Sequence, residues 1–182
     1  MCRTVDRGGF DATGVGAGRR FVRERDRTPV RFAVALRTNV QAPRRPSDPM
    51  DVFVYGTLTA PDRVAEVLDA YAFVGAARLA GLHAVEGRYP TLAPGGATGG
   101  RLLRTDDTAA LDAYERVDDG LYVRVSVPLV GGDDHPDEAA VYVGHPGRLD
   151  ADAVWPGTGP FPERVRTYLR DHEVRVTVEP ER

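Results

Sequence analysis

The chain is 182 residues long, with 24 arginines, no lysine, 27 acids and a formal net charge of −3, a size and composition that fit one globular domain with a tail. The charge is split: residues 1–50 hold 11 Arg against 5 acids, and residues 51–182 hold 13 Arg against 22 acids, so the body repels phosphate backbones and anionic membranes, and neither nucleic acid nor membrane is expected as a partner. The single Cys2 excludes an intrachain disulfide and a Cys-based zinc site and fits a cytoplasmic location, and no apolar run reaches the ~18 residues of a membrane-spanning helix.

Residues 1–49 are rich in Arg and Gly and end in Ala42-Pro43-Arg44-Arg45-Pro46-Ser47-Asp48-Pro49. Those prolines forbid a helix and favour an extended linker. Two readings stand for the segment: a disordered tail, with Val30–Val34 its one weak strand pattern, or sequence upstream of a natural start at Met50. Arg19-Arg20-Phe21 resembles an export signal, but the charged run Arg23–Arg27 stands where an apolar region must follow, so export is not expected.

A folded domain is expected over residues 50–180. Val52-Phe53-Val54-Tyr55 is an all-apolar run, the pattern of a strand buried on both faces. Gly56-Thr57-Leu58 turns the chain, and Thr59-Ala60-Pro61-Asp62 reads as a capped helix start. Val64, Val67, Leu68 and Tyr71 follow at helical spacing, predicting a helix of about 10 residues. Phe73–Val85 reads as a strand. Gly87–Gly100, with seven glycines and prolines in its fourteen residues, reads as a loop, with Gly95–Gly100 a mobile rim. Arg101–Arg104 is a short strand, and Asp106–Glu115 a short helix with acids in its first turn. Leu121–Val130 alternates cleanly, Gly131–Pro136 turns, and Glu138–Val143 returns as the second arm of a hairpin. Pro162–His172 is a terminal helix and Val174–Val178 a last strand. The order is α+β: a small, mostly antiparallel β-barrel flanked by short helices.

Two features carry chemistry. Successive backbone N–H groups at the Tyr55-Gly56-Thr57-Leu58 turn can bind a carboxylate or stabilise an oxyanion, or the turn is purely structural. Glu115 lies four residues after Leu111, on or beside the buried stripe. It is either a desolvated carboxylate suited to proton transfer near neutral pH, or a solvated helix-end Glu paired with Arg116. His83, His135, His145 and His172 are scattered, so no metal is expected. Ser126 lacks a nucleophile-elbow context, and Gly95–Gly100 lacks the ending of a phosphate loop. Asp118-Asp119 and Asp133-Asp134 read as solvated turn acids.

Taken in order, Val52–Leu58, Tyr89-Pro90, Leu111-Asp112-Ala113-Tyr114-Glu115 and Tyr122-Val123-Arg124 with its alternating valines resemble the γ-glutamylcyclotransferase-like family, in its AIG2-like branch. The match covers roughly residues 51–145 and is looser around Trp155. The resemblance implies a small barrel with a cavity at one end. It implies that Tyr55, Gly56, Thr57 and Leu58 bind the γ-glutamyl part of a small-molecule substrate and that Glu115 is the general acid/base. It also implies that an intramolecular acyl transfer releases 5-oxoproline, a reaction needing no cofactor because the substrate brings its own nucleophile. Tyr122 is a candidate cavity wall or plain core. The chain departs from the family in carrying Arg116 where Gly often follows the Glu, and in being short before Tyr122. Two alternatives stay open: removal of a γ-glutamyl group in a biosynthetic pathway, and a non-catalytic binding or interaction domain on the same barrel.

Overall fold

The computed structural model describes residues 49–131 and 135–179. The expectations for the tail, including the strand pattern at 30–34, and for Asp133-Asp134 lie outside the described residues.

Six strands close into a barrel in the order β1-β3-β2-β6-β4-β5. They are β1 (Met50–Val54), β2 (Ala72–Val85), β3 (Thr91–Thr105), β4 (Tyr122–Val130), β5 (Glu138–Gly144) and β6 (Arg175–Val178). The β1–β5 and β4–β6 pairings are parallel. The β1–β3, β2–β3, β2–β6 and β4–β5 pairings are antiparallel. The expected α+β barrel with flanking helices is the fold observed.

Val52–Val54 of β1 is apolar because it has no wet face, and the one charge of the strand, the buried Asp51, is paired with Arg104 at 2.6 Å. Val52 and Val54 join one core cluster, with Leu58, Val64, Leu111, Tyr122 and Tyr142. Phe53, pointing the other way, joins a second with the alternating valines of β4, Trp155, and Val165 of the terminal helix. The β4–β5 hairpin forms as its alternation predicts, with Val125 opposite Val141 and Arg124 opposite Tyr142.

Three local expectations need correction. The glycine-rich segment is no mobile loop: Thr91–Thr105 is one long strand, paired with β2 along nearly its whole length. A Cβ at Gly100 would collide with the Val54 carbonyl oxygen and the Phe53 ring. Glycine here permits close approach of β1 rather than flexibility.

The helix after Pro61 is shorter than its spacing implies. Gly56–Thr59 is a 3₁₀ turn, and α1 covers only Pro61–Ala65. Beyond it the Val64 carbonyl oxygen accepts from both Val67 N–H at 3.0 Å and Leu68 N–H at 2.8 Å, ending the helix in a turn from which Leu68 still reaches the core. Thr59 does not cap α1; its hydroxyl donates back to Gly56 O at 2.6 Å.

Helix α2 spans Thr108–Tyr114 and is capped by Asp107, whose side chain accepts from Ala110 N–H. Glu115 is therefore the C-terminal cap and not an interior position, and Tyr114 is 46% exposed, outside the buried stripe. A further short helix, α3 (Pro146–Leu149), was not expected. The terminal helix, α4, runs Phe161–Asp171.

Candidate active site

A cavity of about 230 Å³ opens beside the end of β1. Its wall includes Tyr55, Thr57 and Leu58 from the turn, Glu115 from the end of α2, and Tyr122 from the start of β4. Of the residues expected from sequence, only Gly56 does not line it directly.

Gly56 shapes the cavity from behind. Its φ of +67 belongs to the left-handed region that glycine enters freely. A Cβ there would stand 3.2 Å from Pro90 Cγ, and Pro90 is part of the wall. No side chain caps the 3₁₀ turn at Tyr55. The first amides of a helical turn have no partner within it, so they remain available to an acceptor.

The aromatic wall is held by its hydroxyls. Tyr55 donates to Tyr142 O at 2.7 Å. Tyr122 donates to Pro90 O at 2.8 Å, fixing the Tyr89-Pro90 segment. Thr91, next in chain, accepts from Gly144 N–H at 2.8 Å and so ties the start of β3 to the end of β5. Burial pushes the phenols of Tyr55 and Tyr122 above the usual tyrosine range, and the neighbouring Glu115 charge adds to it. All three side chains line the one cavity.

Among the described residues, no hydrogen bond or ion pair engages the Glu115 carboxylate. Arg116 does not pair with it: the Arg116 guanidinium turns to Asp119 at 2.9 Å. The carboxylate thus faces a largely aromatic cavity alone, and desolvation raises its pKa from 4.5 to about 7. Glu115 lines the cavity and is not paired with Arg116.

Sequence reasoning missed a supporting cluster. Tyr142 donates to Asp112 Oδ1 at 2.8 Å, and Arg124 lies 2.9 Å from Asp112 Oδ2. Burial, then the Asp112 contact, pushes the Tyr142 phenol up. The signal was present in the predicted hairpin, whose register puts Arg124 opposite Tyr142. Among the described residues, no group of three or more His, Cys, Asp or Glu side chains could hold a metal ion, and no helix is long and apolar enough to cross a membrane.

Comparison with known proteins adds the family. Residues 52–158 match the family model described as "Gamma-glutamyl cyclotransferase, AIG2-like". Similar solved structures include one described as a gamma-glutamyl cyclotransferase, 16% identical over 74% of this chain and 90% of that one, with a TM-score of 0.47. A human protein described as uncharacterized is 14% identical over 67% and 99% of the two chains, with a TM-score of 0.48. An Arabidopsis thaliana protein solved in solution is 27% identical over 68% and 85%, with a TM-score of 0.44. A search of curated proteins finds no match. The family match spans more than half of the chain, which belongs to the gamma-glutamyl cyclotransferase, AIG2-like family.

Proposed function

We propose that the cavity is the active site of a γ-glutamyl cyclotransferase acting on a small γ-glutamyl amide or peptide. The observation that carries this reading is the unpaired Glu115 carboxylate, with its pKa near 7, sharing one cavity with the Tyr55–Leu58 turn.

The chemistry is an intramolecular acyl transfer. The substrate's α-ammonium gives a proton to Glu115. The freed amine attacks the γ-carbonyl carbon, forming the C–N bond of a five-membered ring. The carbonyl oxygen becomes an oxyanion, stabilised by the amides of Gly56 and Thr57. Collapse breaks the original amide bond: Glu115 returns its proton to the departing nitrogen, and the second proton of the former ammonium leaves the ring nitrogen for the released amine, which departs as an ammonium. The products are 5-oxoproline and a free amine, with no water consumed. A carboxylate with a pKa near ambient pH serves both transfers, as acceptor and then donor. The remaining requirement is to hold the glutamyl chain folded for ring closure, and orientation of this kind contributes several kcal/mol. The rigid wall of Tyr55, Tyr122 and Pro90 suits that task because its polar groups are already bonded to backbone.

The test is 5-oxoproline release by the purified protein from a panel of γ-glutamyl amides and dipeptides. Release from at least one class is expected; binding without release across the panel would instead support a non-catalytic domain.

A further inference from the structure

A second concavity lies apart from Glu115. Between β4 and α4 is a groove of about 400 Å³ lined by Arg124, Val125, Ser126, Arg166, Leu169 and Arg170. Arg124 and Ser126 are two apart on β4 and share a face. Arg166 and Arg170 are four apart on α4 and share a face there. Three guanidinium-bearing chains and a hydroxyl therefore meet around one hollow, and no acid is among its lining residues.

That grouping is unusual for this chain, whose residues 51–182 carry 22 acids against 13 arginines. Acids were available to neutralise the groove, yet they do so only in part: Arg124 is paired with Asp112 at 2.9 Å and Arg170 faces Asp171 at 3.6 Å. Among the described residues, Arg166 has no hydrogen bond or ion pair. Arg170 donates to Thr167 Oγ1 at 3.3 Å, and the Asp171 it faces is adjacent in the chain and exposed. Arg124 Nη1 is sealed from solvent and close to Asp112, but without the alignment of a hydrogen bond. Like charges brought together repel, and the bound form of such a site supplies the missing anion.

We propose that this groove is a binding site for a small multivalent oxyanion of the phosphate class, separate from the catalytic cavity. The forked, planar guanidinium matches two oxygens of such a group at once, and charge-assisted bonds of this kind are about twice as strong as neutral ones. Ser126 adds a hydroxyl donor. Val125 and Leu169 make part of the groove apolar, which lowers the local dielectric and strengthens the charge contacts.

The test is calorimetric titration of the full chain with pyrophosphate in metal-free buffer, with sodium chloride at matched ionic strength as control. One saturable site is expected. The double variant Arg166→Gln/Arg170→Gln changes exposed helix positions, so it keeps the wild-type circular dichroism spectrum while its affinity falls at least tenfold. Arg63→Gln, an exposed arginine paired with Glu66 on α1, leaves the affinity unchanged. Absence of saturable binding, full binding in the double variant, or an equal loss in Arg63→Gln would overturn the proposal.

Discussion

Asp112 and Glu115 stand three residues apart at the end of one short helix, and only one of them is satisfied. Asp112 accepts the Tyr142 hydroxyl and faces Arg124 across a 2.9 Å ion pair. Glu115 has no such partner among the described residues and carries a pKa of about 7. The first carboxylate fastens α2 to the barrel; the second is left to titrate inside the cavity. Asp112→Ala is therefore expected to strand a tyrosine hydroxyl and a guanidinium together. The pair is about a third exposed on each side, so its loss costs about 1–2 kcal/mol, and urea unfolding should shift accordingly. Turnover should fall through kcat more than KM, because Glu115 is displaced and not removed. An unchanged kcat would show that α2 is held by other contacts.

The raised pKa of Glu115 has a consequence for stability. Between the ordinary carboxylate value of 4.5 and about 7, the folded state binds more protons than the unfolded state. Stability therefore falls as pH rises across that window, and the loss is complete above about 7. A shift of this size corresponds to roughly 3 kcal/mol. Glu115→Gln removes the titration, so the variant should be more resistant to urea than wild type at pH 8 and nearly equal to it at pH 4.5. Parallel pH dependence in the two proteins would contradict the assignment of a buried, unpaired carboxylate.

At Gly56 the expected effect is geometric. Gly56→Val forces a β-branched residue into a positive φ and against the Pro90 ring, at a cost of about 2 kcal/mol or more. The Pro90 wall must move, so KM for a γ-glutamyl substrate should rise at least tenfold. Unaltered KM would make the turn structural only.

Arg116 gives the opposite case. It occupies the left-handed region at φ +53, where a Cβ costs roughly 1 kcal/mol and glycine costs nothing. The Arg116–Asp119 pair that the side chain makes is exposed on both sides and is worth little. Arg116→Gly should leave the melting temperature unchanged or raise it by a few degrees, with activity retained. A clear drop in melting temperature would mean that the surface pair outweighs the backbone strain.

These relationships were unevenly legible in the sequence. Val52–Val54 of β1 was readable as an unbroken apolar run because both of its faces are buried, and the β4–β5 hairpin because burial of one face of β4 writes itself into a period of two. The Gly-rich half of β3 was not, since composition marks flexibility and close approach with the same residue; only the packing of Gly100 against Val54 separates them. The Arg116 departure is intelligible once its backbone is seen, because the position asks for a left-handed residue whichever side chain fills it. Glu115 was visible as a candidate, but whether it was paired or alone depended on the direction of the Arg116 side chain. The Asp112–Tyr142–Arg124 cluster needed three elements in register, which local spacing does not encode.

The most direct test of the central claim is 5-oxoproline release by Glu115→Gln beside wild type, on the best substrate of the γ-glutamyl panel, with circular dichroism confirming the fold. Glutamine keeps the shape of the side chain but does not exchange a proton at neutral pH. The account predicts a folded protein whose 5-oxoproline release is lost by at least a thousandfold, roughly the size of a general acid–base contribution. Turnover within a few-fold of wild type would contradict it.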